Sequence, residues 1–423
     1  MGEVTVFRTT EHSSFSDTDI DKLKELDLEL SYKNDIPNLL GLSSNFDVGY
    51  FIGTQWLKEG EKALVVEPKI ENLDYLKMFL ECLKNPRTTR AVSDIYAIDF
   101  KKDPIPLPAN TFELTPLIII HFLTLLKKIV QKGLKRDYIW IEENLQSKIK
   151  GKLLINQNIK KNILKKRMDR NVCRYQDYSI DCTENRILKK TLNYVFNYNK
   201  THHYGHAEIV NLYNYIHPAF FAVSDSATLS DLKRIKTNSL YKEYNETLKV
   251  AEMILKRFSY SINNTEDEKE GKFPPFYIDM SLLFEMYVLT KLDKAYGKDI
   301  LAKPSGSGHT ELDYLHISQK TVIDAKYKEI YCKDNGWGWD KDNIRQLSGY
   351  ARDYKVIKQL DIDITQPIPH LDCLIIYPNM DNGYHEIEVD KIKNITIKQF
   401  VQFYKYGITL PIKKIIIKEN NYA

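Results

Sequence analysis

The sequence predicts a multidomain protein of mixed class, α+β and α/β, and three observations carry that expectation. Before about residue 116, short apolar runs at residues 47–56, 62–66 and 93–99 alternate with turn residues, as half-buried strands with a side-chain period of two do. From residue 117 to 258 the apolar period lengthens to that of a helix. Beyond residue 272 the segments read, in order, as helix, strand, strand, helix and strand. At 423 residues the chain can bury two or three separate cores. The expected division is a β-rich domain at residues 1–115, a helical and basic region at 116–271, and an α/β core at 272–423.

In the middle region, helices are expected at 117–131, 181–196, 206–216 and 240–258, the first two separated by a polar crossover. Residues 262–272, INNTEDEKEGK, are charged and aperiodic and read as a linker. The core opens with a helix over 277–289, in which Glu285 sits among apolar residues. A carboxylate on such a face is costly unless it has a partner. Residues 311–315 and 321–328 read as strands joined by the turn 316–320. A helix over 342–356 follows, with Gln346 and Tyr350 four apart and therefore on one face. The apolar run 371–377 supplies a last strand.

The chemistry lies on the paired strands. A period of two puts Asp324 and Lys326 on one face and turns Ala325 and Tyr327 to the other. Asp313, on the partner strand, comes within reach of Asp324, and two carboxylates can share one hard divalent cation. Lys326 is a compact charge able to hold or deprotonate an attacking water and to offset charge on a phosphate. An Asp-x-Lys alone is more often a solvated strand face. Here it stands in the element order of a PD-(D/E)xK nuclease core, with Glu285 and Gln346 on the flanking helices. The expected site therefore has Asp313 and Asp324 holding Mg²⁺, Lys326 positioning water, Glu285 orienting that water or a second ion, and Gln346 in support. Leu312 stands before Asp313 where the superfamily name calls for proline, a residue that there only shapes the strand.

Further segments make the likeness specific. Met280 to Phe284-Glu285, Asp324-Ala325-Lys326-Tyr327-Lys328 and Gln346 to Tyr350-Ala351 resemble the Met-x-x-x-Phe-Glu helix, the DAKYK strand and the Q-x-x-x-Y-A helix of the McrC family, the nuclease subunits of McrBC modification-dependent restriction systems. Tyr50-Phe51-Ile52-Gly53 with Val65-Val66-Glu67-Pro68-Lys69-Ile70 is similar to that family's amino-terminal hairpin. Lys150-Gly151-Lys152 resembles its basic-glycine turn, and the run from Asp181 through Asn185-Arg186-Ile187-Leu188-Lys189 its D-x-x-x-N-R-I-L-K helix. The resemblance implies a Mg²⁺-dependent DNA endonuclease acting with a hexameric AAA+ GTPase of McrB type. That partner would recognise methylated DNA, and this chain would stimulate its turnover through the amino-terminal half. A non-cutting activator of the GTPase and a solitary DNA-repair nuclease are the alternatives. The latter would need its own DNA-reading module, and no zinc finger or helix-turn-helix pattern is present.

Composition narrows the remainder. A net charge of +4 is mild, but residues 127–174 hold fifteen Lys and Arg against four Asp and Glu, a local +11. Lys165, Lys166 and Arg167 lead that stretch as contacts for DNA or an acidic partner, with Lys328 near the expected site. Solvated helix faces are the competing reading. Five cysteines without a C-x-x-C pair, and a start lacking an apolar signal core, point to a cytoplasmic protein without a membrane span. His202, His203 and His206 offer no third metal ligand, and Trp337 and Trp339 suit packing as well as base stacking. Pro304-Ser305-Gly306-Ser307-Gly308 is not a phosphate-binding loop, so NTP hydrolysis is assigned to a partner.

Overall fold

A computed structural model describes residues 4–26, 38–88, 94–99, 102–108, 111, 114–202, 207–232, 235, 242–261, 270–309, 311–332, 338–363 and 365–413. The chain divides into two compact units, one made of Met1–Phe112 with Lys269–Ala423, the other of Glu113–Glu268. The two transitions fall near those read from sequence. The outer segments, expected as separate domains, instead share one unit.

The reason is a strand that local pattern does not reveal. Phe276–Asp279, expected as the start of a helix, pairs antiparallel with both Phe51–Lys58 and Tyr96–Ile98. It completes a five-stranded sheet with Lys62–Glu67 and, parallel to that, Thr5–Thr10. Gly53 is obligatory at this crossing: its φ is +142°, and a Cβ there would lie 2.2 Å from the Phe276 carbonyl oxygen. Asp279 then accepts the Leu282 N–H and caps helix Met280–Tyr296. That helix lies against strands of this sheet and of a second one.

The second sheet has six strands, in the order Ile300–Ala302, Tyr314–His316, Thr321–Ala325, Asp372–Pro378, Phe403–Ile408 and Ile395–Thr396. Its centre is parallel, and Thr321–Ala325 and Asp372–Pro378 are almost wholly buried there. Leu315, Val322, Ile375 and Tyr377 pack there against Leu347, Val356 and Ile357. The helix expected over 342–356 is two, Lys341–Tyr350 and Tyr354–Gln359, because Asp353 accepts the N–H groups of Lys355 and Val356 and starts a new helix.

The Glu113–Glu268 unit is helical where expected, with Leu114–Lys132, Thr183–His202, Ala207–Ile216 and Lys242–Ser261. The polar crossover, however, is a sheet: Asp137–Gln146 pairs antiparallel with Arg170–Ser179 over ten residues, and Lys152–Leu153 adds a short third strand. Gly151 permits that addition, since a Cβ there would lie 2.5 Å from the Arg174 carbonyl oxygen at a φ of +67°. The D-x-x-x-N-R segment is structural. Asp181 takes both ends of the Arg186 guanidinium at 2.9 and 2.7 Å, and Asn185 donates to the carbonyls of Lys135 and Ile180. Among the described residues no helix is long and apolar enough to cross a membrane.

Candidate functional site

The site forms where strand Thr321–Ala325 ends. Asp324 lies on that strand, buried, opposite Ile375 of the parallel neighbour. Asp313 is not on a strand as expected; it stands one residue before Tyr314–His316. Its carbonyl accepts the Lys303 N–H at 2.8 Å, and its Oδ2 accepts the Ala325 N–H at 2.8 Å. The carboxyl is thus tied to the residue next to Asp324, which is the adjacency the sequence suggested. The strand stops at Ala325, yet Lys326 still turns back to the same side. Its Nζ lies 2.9 Å from Asp324 Oδ2 and donates to Gln346 Oε1 at 3.2 Å. The contact to Asp324 is off the hydrogen-bonding direction, so Asp324 Oδ2 is buried without a hydrogen-bond partner. Gln346 Nε2 in turn donates to Tyr350 Oη at 3.1 Å, one helical turn on, and Tyr350 Oη donates to the Glu311 carbonyl.

Glu285 faces the same acids from helix Met280–Tyr296. Burial, together with the Asp279 and Asp324 charges and against those of Lys303 and Lys326, pushes its carboxyl up to about 7. Burial likewise drives Asp313 well above the carboxylate range, reinforced by Asp324 and Glu285. Burial acts to lower the Lys326 ammonium, but Asp324, then Asp313 and Glu285, outweigh it and hold the amine above its ordinary value. Among the described residues no three His, Cys, Asp or Glu side chains form a ready-made metal cage. A hard divalent cation nevertheless suits this donor set. The groups are carboxylate oxygens, one is an orphan, and a positive charge would relieve the mutual repulsion that raises the acids.

The other expected residues separate. Lys328 Nζ lies 2.8 Å from Asp340 Oδ2, and Asp340 caps helix Lys341–Tyr350, so this lysine is committed to the helix start. Lys165, Lys166 and Arg167 are exposed on a turn of the Glu113–Glu268 unit, among exposed Ile155, Ile159, Leu164 and Met168. Other members of the basic stretch are paired, Lys132 with Glu243, Lys135 with Asp137 and Glu184, Lys150 with Asp177 and Arg174 with Glu142. Trp339 packs edge-on against Phe400 at 5.0 Å, a core contact. Trp337, His203 and His206 lie outside the described residues. Sequence reasoning missed Lys303, whose charge bears on Glu285 and whose φ of 47° is a non-glycine left-handed conformation. It also missed Glu11 and Lys69, which meet Tyr327 from far away in the chain.

No curated protein matches the chain. Solved structures that resemble it include a refined half-complex from a tetradecameric assembly of Thermococcus gammatolerans McrB AAA+ hexamers with bound McrC, and the T. gammatolerans McrBC complex. The first shares 15% identity and covers 95% of this chain and 94% of that one, with a TM-score of 0.39. The second shares 14% identity and covers 68% and 87%, with a TM-score of 0.30. At such scores neither likeness decides anything about fold or partner. What the family profile shows is membership: McrBC 5-methylcytosine restriction system component matches residues 49–361, well over half of the chain and spanning Glu285, Asp313, Asp324, Lys326 and Gln346, and the chain therefore belongs to that family.

Proposed function

We propose that this restriction-system component is its nuclease, a Mg²⁺-dependent DNA endonuclease with a PD-(D/E)xK core. The observation that carries the reading is the meeting of Lys326 Nζ with Asp324 Oδ2 at 2.9 Å and Gln346 Oε1 at 3.2 Å, beside Asp313. Asp313 and Asp324 would hold the cation. The chemistry a Mg²⁺ held by Asp313 and Asp324 would supply is Lewis acidity toward a phosphate oxygen and toward water. Lys326 stays charged, because the surrounding carboxylates stabilise its ammonium. It therefore orients water and offsets phosphate charge rather than accepting a proton. Glu285, held at about 7, is the group able to take a proton near neutral pH.

The partner in this reading is an AAA+ GTPase of McrB type, which supplies recognition of modified DNA. Its docking belongs to the Glu113–Glu268 unit, where Leu164 and Met168 are exposed beside Lys165, Lys166 and Arg167. Large apolar side chains with cations at their edge suit a protein surface with an acidic rim better than bare phosphates. None of the five cysteines forms a disulfide, which accords with a reducing compartment. The test is cleavage of methylated plasmid with Mg²⁺, the GTPase and GTP by the wild-type chain and by Asp324→Asn. Cleavage by the wild type alone among the two supports the nuclease reading, and equal cleavage by both ends it.

A further inference from the structure

The amino-terminal hairpin motifs, Tyr50 to Gly53 and Val65 to Ile70, have so far been given no function. Strands Thr5–Thr10 and Lys62–Glu67 run parallel with Thr10 opposite Glu67, so the residues just past their ends emerge side by side. Glu11 N–H donates to the Glu67 carbonyl at 2.9 Å, and Lys69 N–H donates to Glu11 Oε1 at 3.2 Å. Both side chains then reach Tyr327, which follows Lys326. Tyr327 Oη donates to Glu11 Oε1 at 2.9 Å, and Lys69 Nζ donates to the Tyr327 carbonyl at 2.7 Å. The same ammonium stands 3.8 Å from the centre of the Tyr327 ring, against which Phe284 and Tyr50 also pack. Tyr327 is thus held at its hydroxyl, its ring and its backbone.

That grip matters because of where the sheet stops. Lys326 N–H makes the last bond to the parallel neighbour, donating to the Ile376 carbonyl at 2.8 Å, and the Lys328 N–H then turns back to the Lys326 carbonyl at 2.7 Å. Tyr327 is the apex of this turn, so fixing it fixes the direction in which Lys326 leaves the backbone. Four methylenes follow, and an ammonium on so flexible a stem meets Asp324 and Gln346 together only if its base is held. Burial pushes Glu11 up to about 7 against the opposing charge of Lys69, and Glu11 Oε2 has no hydrogen-bond partner. Buried ionic groups left incompletely satisfied are a poor way to stabilise a fold and a good way to orient one.

We infer that Glu11 and Lys69 are positioning residues for Lys326, acting through Tyr327, so that the amino-terminal sheet sets the geometry of the cleavage site. The inference rests on the nuclease reading, and its test includes a readout independent of cleavage. In the full-length chain, Lys69→Met, Lys69→Arg and Tyr327→Phe are compared with wild type for the rate at which an N-hydroxysuccinimide ester acylates Lys326, followed by peptide mass spectrometry. The kcat and KM of DNA cleavage, with Mg²⁺, the GTPase and GTP, are measured in parallel. A lysine no longer held against Asp324 and Gln346 exposes its amine to the reagent more often, and acylation quickens in proportion. Lys69→Met is expected to label Lys326 about tenfold faster and to lower kcat at least tenfold with KM little changed, and Lys69→Arg to recover part of both. Tyr327→Phe, which removes one oxygen, serves if Lys69→Met does not fold, with the same direction expected. Folded variants that label Lys326 and cut DNA at wild-type rates overturn the inference. A wild type that cuts no DNA, while labelling still responds to Lys69→Met, refutes the nuclease reading and leaves the positioning of Lys326 standing.

Discussion

Lys326 and Asp324 are a mutual dependence at the scale of single residues: each is buried enough to need the other, and neither has a full set of hydrogen bonds. Removing one should therefore abolish chemistry before it abolishes the fold. Lys326→Ala and Asp324→Ala are expected to lower cleavage by about 10²–10³-fold or more, with partner association unchanged in a pull-down with the GTPase. Glu11 gives a second residue-scale expectation. Its carboxyl rises from an ordinary 4.5 to about 7 on folding, chiefly through burial, so the folded chain binds the proton more tightly than the unfolded one. The stabilisation is fully present below about pH 4.5 and is lost as pH rises through about 7, an effect on the order of 2–3 kcal/mol. Thermal melts between pH 5 and 8 should show stability declining across that window, and Glu11→Gln should flatten the decline. An unchanged slope in the variant would assign it to other groups.

Elements whose pattern is local were legible in the sequence, and those defined by distant pairing were not. The strands at 62–66 and 371–377 and the four middle helices appear close to where periodicity put them, as Lys62–Glu67, Asp372–Pro378 and the helices from Leu114 to Ser261. Glu285 stood out because a carboxylate is costly on an apolar helix face, whereas Asp313, Asp324, Lys326 and Gln346 were singled out by strand pairing, side-chain period, the i,i+4 face shared with Tyr350 and the family motifs. Phe276–Asp279 was read as helix because four residues show no period of their own, and only its two partners make it a strand. The hairpin Asp137–Gln146 with Arg170–Ser179 was passed over because its exposed faces mix Tyr138 and Trp140 with charges, which hides the alternation. Glu11 gave no signal and Lys69 only its place in a family motif, since their contacts to Tyr327 span 316 and 258 residues. Gly151→Ala tests this element directly. It forces a Cβ to 2.5 Å from the Arg174 carbonyl oxygen at a left-handed φ, at a cost of about 1–3 kcal/mol. Hydrogen exchange across residues 137–179 should accelerate while Tyr327 and its neighbours keep their protection. Reversing the charges of Lys165, Lys166 and Arg167 should weaken GTPase association while leaving the salt dependence of DNA binding unchanged. A salt slope reduced by roughly 0.9 for each lost cation would instead make them phosphate contacts.

For the molecule as a whole, residues 1–112 are part of the unit that carries the candidate site. Deleting them should leave residues 269–423 insoluble or molten by circular dichroism, because Phe276–Asp279 loses both neighbours and Tyr327 loses its grip. A folded, metal-binding fragment would overturn that expectation. The Glu113–Glu268 unit stands in the opposite relation. The chain departs after strand Ile105–Pro108 and returns on Glu270–Phe273, and these two strands pair antiparallel, with Pro108 opposite Glu270. Such a clasp makes the long excursion an insert on a closed stem. Closing a loop grows only logarithmically more costly with its length, about 0.6 kcal/mol per doubling, so whatever is threaded between Pro108 and Glu270 can lengthen, shrink or change its surface without the rest being rebuilt. If the proposed docking holds, a lineage could re-tailor its choice of motor by exchanging the insert alone, and a two-residue turn across the clasp would leave the proposed cutter with nothing to command it.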